Sequence, residues 1–147
     1  MRLTVLTDYA LRVLMYAGLH TDRLCTIGEI AQAHGISHAH LVKVTHLLGR
    51  LGYLETVRGK GGGMRLARPA ENIVLGTVIR ALEPDFDLVH CFSQPEACRL
   101  SVQCRLSGVL REALAAFLEV FDRYSLADLL AGNAPRPAGT APIPAPS

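Results

Sequence analysis

Between residues 26 and 67 the helix-capping residues and glycines stand at intervals that leave little choice of local fold. Thr26 precedes Ile27-Gly28-Glu29, and a Thr followed three residues later by Glu is the reciprocal capping pattern that starts a helix. That helix is short, because His34-Gly35 supplies the glycine a left-handed helix end favours. Ser37 then caps another helix, in which Leu41, Val44, Leu48 and Leu51 recur at three- and four-residue steps. Two helices joined by a glycine-containing turn read as helix-turn-helix. After Gly52, residues 53–58 and 64–67 carry strand-forming side chains around Gly59-Lys60-Gly61-Gly62-Gly63, and Pro69 ends the segment. Strand, glycine turn and strand predict a β-hairpin. Directly behind a helix-turn-helix, a hairpin makes a wing.

Around this unit the pattern is helical. Leu6, Tyr9, Ala10, Val13, Leu14 and Ala17 predict a core-facing first helix over residues 6–19, and residues 73–82 predict another, stopped before Pro84. Residues 85–103 show no sustained period. From Cys104 to about Tyr124, Leu106, Leu110, Ala113, Leu114, Phe117 and Phe121 form one apolar stripe, and Ser125 to Leu130 adds a final turn or two. The helix is longer than so small a domain needs for its own core, so dimerisation is its expected use. Residues 132–147 hold five of the eight prolines and predict a disordered tail. The fold class is therefore mainly α with a small β-hairpin wing: a winged helix-turn-helix domain plus a long dimerisation helix.

Charge says little in total and much in distribution. The net charge of the 147 residues is +2, yet residues 38–68 hold Lys43, Arg50, Arg58, Lys60, Arg65 and Arg68 against Glu55 alone. Residues 69–147 hold six basic and nine acidic residues. A local cationic excess on a winged helix suits a polyanion. With the apolar stripe of the second helix turned inward, His38, Ala39, Lys43, His46 and Arg50 face out, and the helix start, with His40, is expected to meet base edges of duplex DNA. Gly28 and Ser37 belong to the same expected DNA surface. Arg58, Lys60 and Arg65 flank the wing tip, where phosphate or the minor groove lies within reach.

The remaining chemistry belongs to cysteine. The N-terminus lacks the charged and apolar regions of a secretion signal, and Asp8 and Arg12 interrupt its apolar stretch. The expectation is a soluble, cytoplasmic protein with no membrane partner, in which thiols stay reduced. The spacing Cys91-x6-Cys98-x5-Cys104 lacks the paired close spacings of a zinc finger. By itself it leaves open an iron–sulfur cluster completed by a fourth ligand, a zinc site and ordinary or redox-active thiols. Cys25 reads as a small buried hydrophobe, His90 as a solvated loop residue, and Asp8 as a first-turn acid four residues before Arg12. No nucleophile elbow, phosphate loop or metalloprotease motif appears, and no enzymatic activity is expected.

Several segments together carry a family likeness. Met1-Arg2-Leu3-Thr4, Thr7-Asp8-Tyr9-Ala10-Leu11-Arg12, the helix-turn-helix, Val57-Arg58-Gly59-Lys60-Gly61-Gly62-Gly63-Met64-Arg65-Leu66-Ala67 and the three late cysteines resemble the bacterial iron–sulfur winged-helix regulators. Leu82-Glu83-Pro84 and Tyr124-Ser125-Leu126-Ala127-Asp128-Leu129 resemble their nitric-oxide-sensitive branch. The likeness spans residues 1 to about 131. It implies a homodimeric repressor that binds operator DNA and carries one cluster per protomer on Cys91, Cys98 and Cys104, with Asp8 from the partner protomer as fourth ligand. Nitric oxide would be the signal, its attack on the cluster releasing DNA. Cluster-assembly regulators of this family carry a His three residues after the last cysteine. Ser107 stands there instead, against that ligation. The resemblance favours a 4Fe–4S cluster; the six-residue gap after Cys91, wider than usual in the nitric-oxide-sensitive branch, leaves 2Fe–2S open. The implied division is residues 1–83 for DNA binding, 84–104 for the cluster loop, 105–131 for the dimerisation helix and terminal turn, and 132–147 for the tail. Two other roles share these features: a regulator reading iron or redox status through cluster occupancy, and a small electron-transfer or cluster-carrier protein.

Overall fold

The computed structural model describes residues 2–94, 96 and 104–131. Cys98 and the tail 132–147 lie outside the described residues.

The first helix, α1 (Val5–Leu19), is capped by Thr4, whose hydroxyl accepts from the Thr7 N–H. It buries Thr7, Ala10, Val13, Leu14 and Ala17, with Leu6 and Tyr9 half-buried beside them. Helix α2 (Ile27–His34) opens on the expected reciprocal cap: the Thr26 N–H donates to Glu29 Oε2 at 2.7 Å, and the Glu29 N–H donates back to Thr26 Oγ1 at 3.2 Å. It closes on Gly35 with φ 63°, a left-handed conformation open to glycine at no steric cost. Ser37 caps α3 (His38–Arg50), which buries Leu41, Val44, Thr45 and Leu48.

The wing is an antiparallel pair, β1 (Leu54–Val57), shorter by one residue at each end than the sequence predicts, and β2 (Gly63–Leu66), starting one residue earlier than predicted, in the register Leu54↔Leu66 to Val57↔Gly63. A third segment lies against it. Cys25 and Met64 exchange backbone hydrogen bonds at 2.8 Å each way, which ties the loop before α2 to the wing. Gly63 permits this approach, since a Cβ there would lie 2.6 Å from the Cys25 carbonyl oxygen.

The helix expected over residues 73–82 begins later, as α4 (Leu75–Leu82). Ile73 and Val74 are drawn out to pair with residues after the long helix: the Leu75 N–H donates to the Tyr124 carbonyl at 2.9 Å and the Leu126 N–H to the Ile73 carbonyl at 2.8 Å. In the aperiodic stretch a single turn, α5 (His90–Ser93), forms around Cys91. The long helix α6 (Arg105–Asp122) carries no buried residue at all. The short α7 (Leu126–Leu130) instead returns to the head. Leu126 is fully buried, and Leu130 packs over Gly18 of α1. A Ser125–Asp128 reciprocal cap begins that helix.

One core thus joins α1, α2, α3, the base of the wing, α4 and α7, built on Leu14, Ile30, Leu41, Leu48, Ile73 and Leu126. The apolar stripe of α6 lies outside it: Leu106 and Ala113 are exposed, as is the neighbouring Val109, and Leu110, Leu114, Phe117 and Phe121 are half-buried. No helix among the described residues is long and apolar enough to cross a membrane.

Candidate nucleic-acid interface and cysteine loop

The core face of α3 fixes what its opposite face presents. With Leu41, Val44 and Leu48 inward, His38, Ala39, His40, Lys43, His46 and Arg50 are all exposed. Gly28 is exposed in the first turn of α2, and Ser37 is exposed at its cap position. His38 lines one hollow with Gly28, Thr56 and Val57. His46 and Arg50 line a second one with Val42, Gly49 and Thr56. The recognition helix and the wing therefore stand side by side with a cleft between them. His40 is held differently: its Nδ1 lies 2.9 Å from Ser37 Oγ and its ring 6.0 Å from that of Tyr9, which draws it back toward α1.

Among the described residues, Lys43, Arg50, Arg58 and Lys60 form no salt bridge. These are the cations available to a polyanion. The other two counted in the sequence are engaged. Glu55 and Arg65 are directly opposed across the wing, and Arg65 Nε donates to Glu55 Oε2 at 3.0 Å. Arg65 holds the Glu55 carboxyl below its usual range through this hydrogen bond and its charge. Arg68 donates twice to the Gly52 carbonyl, at 3.0 and 2.8 Å, and lies over the Tyr53 ring at 5.0 Å. It closes the joint between α3 and the wing. Sequence reasoning missed Val42 and Thr56 in the cleft; the signal for Val42 was a branched apolar residue beside Lys43 on an otherwise polar face.

The cysteines fall into two kinds. Cys25 is fully buried behind the wing, and burial pushes its thiol up. Cys91 and Cys104 are free and half-buried, in α5 and at the start of α6. Cys104 occupies the N-cap of α6, where no side chain caps the first N–H groups. Next to Cys91, the Phe92 ring sits 5.4 Å from the Arg111 guanidinium, joining the α5 turn to α6. The third predicted ligand, Cys98, lies outside the described residues. Within the described residues of one chain, no three His, Cys, Asp or Glu side chains converge as a metal site.

Asp8 stands on the first turn of α1, with Arg12 Nε 3.0 Å and Nη2 2.9 Å from its carboxylate oxygens. One turn earlier, Thr4 donates from its backbone N–H and its hydroxyl to Glu83 Oε1, at 2.9 and 3.1 Å. The start of α1 is thereby fastened to the start of the cysteine loop. At the far end of α6, Arg80 grips Asp122 in a two-pronged ion pair at 2.5 and 2.7 Å. The Asp8–Arg12 pair follows from its four-residue spacing, whereas the Thr4–Glu83 and Arg80–Asp122 links were not visible in the sequence.

The family Rrf2, described as iron-dependent transcriptional regulators, matches residues 3–132. The HTH-type transcriptional regulator NsrR of Halalkalibacterium halodurans is 46% identical over 132 residues, covering 88% of this chain and 90% of its own. The regulator of the same name from Geobacillus kaustophilus is 48% identical over 136 residues, covering 91% and 92%. Among solved structures, T. potens IscR superposes with a TM-score of 0.70 at 25% identity, covering 97% of this chain and 94% of its own. CymR, the global cysteine regulator of B. subtilis, superposes with a TM-score of 0.69 at 25% identity, covering 90% and 98%.

Proposed function

The chain belongs to the Rrf2 family of winged-helix transcriptional regulators, and from that premise we propose that it is a homodimeric repressor governed by an iron–sulfur cluster that responds to nitric oxide. Cys91, Cys98 and Cys104 would hold the cluster, with Asp8 supplied by the partner subunit. The observation that carries the DNA-binding half is the set of cations on α3 and the wing tip, Lys43, Arg50, Arg58 and Lys60, that form no salt bridge among the described residues.

The donor set fits such a cluster. Soft thiolates suit iron–sulfur chemistry, and Cys91 and Cys104 are uncommitted, unlike Cys25, whose thiol is buried in the core. The uncapped N–H groups at the start of α6 favour an anion beside Cys104. When bound, the group supplies an iron that small diatomic ligands can attack. The chain's own residues do the rest. The Asp8 side chain is about half exposed and, among the described residues, its carboxylate is engaged only by Arg12, one helical turn away, so little is lost when it turns to another partner. Thr4 and Glu83 hold the Asp8-bearing turn to the base of the loop that leads to Cys91. The apolar stripe on α6, without a buried residue in the monomer, supports dimerisation along that helix.

The test is anaerobic purification followed by iron and sulfide analysis, visible spectroscopy and operator binding, before and after nitric oxide. The expected result is a visible chromophore that nitric oxide bleaches with loss of DNA binding. Equal operator affinity with and without nitric oxide would remove the sensing role. The name of the matching family favours one second reading, in which iron status is sensed through cluster occupancy. In that case cluster loss alone changes promoter choice.

A further inference from the structure

One apolar residue sits in the middle of the cationic face, and no core packing accounts for it. Val42 is 43% exposed on α3, three positions after Ala39 and four before His46, a spacing that puts all three on one side of the helix. Its neighbours Lys43, His46 and Arg50 are exposed and polar. The nearby hydroxyl of Thr45 is turned back on the helix, donating to the Val42 carbonyl at 3.2 Å. The cleft beside the wing therefore has methyl groups in its wall, with Gly49 and Thr56 completing it. A single exposed valine on a protein surface is ordinary. Here, however, the surrounding charges recruit duplex DNA, and on binding this side of the helix leaves water.

We propose that Val42, with Ala39 one turn before it, is a specificity determinant that reads thymine through its C5 methyl group in the major groove. A valine offers no hydrogen bond to a base edge, and the feature of the major groove that rewards an apolar contact is the thymine methyl. A β-branched side chain within a helix is held in essentially one rotamer, so little freedom is lost when the contact forms. Cβ atoms three positions apart lie about 5–6 Å from each other, and stacked base pairs rise by about 3.4 Å. The two methyl-bearing side chains therefore match thymines one or two steps apart in each half-site. This inference rests on the reading of the chain as a DNA-binding regulator.

The test uses the anaerobically purified full chain and a duplex it selects from a random pool. Each thymine of that duplex is replaced in turn by deoxyuridine, which removes only the C5 methyl. At one or two positions per half-site the substitution is expected to weaken binding by about fourfold, the worth of one buried methyl. In Val42→Ala the penalty at one of those positions should vanish while the others persist; its unfolding temperature, which should match wild type for so exposed a site, confirms folding. A selected duplex indifferent to every deoxyuridine, or penalties identical in Val42→Ala and wild type, overturns the proposal while leaving DNA binding intact. A chain with no salt-dependent affinity for any duplex overturns both.

Discussion

The wing offers a quantitative test of which cations reach DNA, because its charges differ in engagement. Lys60 stands at the tip with no carboxylate partner among the described residues, whereas Arg65 is fixed to Glu55 at 3.0 Å. Each phosphate neutralised by a cation contributes about 0.9 to the slope of log affinity against log salt. Lys60→Ala should therefore flatten the slope by about one. Between roughly 50 and 200 mM salt, one such contact corresponds to an affinity change of about 3.5-fold. Arg65→Ala should flatten the slope less, because its guanidinium is held by Glu55 and not by a phosphate, which leaves only the repulsion of the uncovered Glu55 carboxylate. Glu55→Gln releases Arg65 and removes a nearby negative charge, so it should steepen the slope by up to about one and raise low-salt affinity by a few-fold. Fluorescence anisotropy on one duplex, titrated at five or six salt concentrations for all four proteins, measures each slope. Equal flattening in Lys60→Ala and Arg65→Ala, with Glu55→Gln indistinguishable from wild type, would refute this assignment: the pair would then open freely on DNA.

Other expectations follow from packing and titration. Gly63→Ala would place a Cβ 2.6 Å from the Cys25 carbonyl, breaking the Cys25–Met64 bridge; amide exchange at Cys25 and Met64 should speed up and DNA affinity fall. Leu126→Ala empties a fully buried site and should cost about 2–5 kcal/mol. In a domain of this size that lowers the unfolding temperature by roughly 6–20 °C, and a change of only a degree or two would detach α7 from the core. Acid should weaken the start of α2. The Glu29 carboxyl is lowered by hydrogen bonds from the Thr26 backbone and hydroxyl, and by Arg23. A depressed folded-state value means that its contribution is complete above the ordinary value of 4.5 and is lost as pH falls below it. Glu29→Gln should remove that part of the acid sensitivity, measured as unfolding temperature between pH 6 and pH 3.

The parts legible in the sequence are those written in local code. Thr26 with Glu29, Gly35 and Ser37 each fix a helix end by hydrogen bonds within a few residues, and the glycines of the wing carry their own backbone requirement. What failed was non-local. Ile73 and Val74 have helical periodicity but are pulled straight by Tyr124 and Leu126, some fifty residues away. Arg65 counts as a free cation until strand register sets it opposite Glu55. Arg68 reads as one more basic residue until Gly52 and Tyr53 are seen beneath it. The final turn expected over residues 125–130 is present as α7, but its return to the core, with Leu126 fully buried and Leu130 over Gly18, is again non-local. Near the cysteine loop, the link from Thr4 to Glu83 spans 79 positions, and no spacing rule reaches so far.

These non-local links also locate the seam along which such a regulator would switch. Helices α1, α2 and α3 share a core of fully buried side chains, and separating them would open cavities no ligand could offset. Helix α6 has no buried side chain, and among the described residues its side-chain polar attachment to the head is the exposed Arg80–Asp122 pair, a kind of contact that solvent makes weak. Rocking α6 against the head therefore breaks little, while the Val74–Ser125 bridge and Leu126 keep its C-terminal end on a fixed pivot. Regulatory coupling typically amounts to a 5- to 150-fold change in affinity, which no rearrangement of the core could supply cheaply and a weakly held helix can. On the proposed function, Cys104 at the opposite end of α6 places a ligand on the long arm of that lever. In the proposed dimer, a change at the cysteine loop would then move the wing and recognition helix of one protomer relative to those of the other, without disturbing the fold of either.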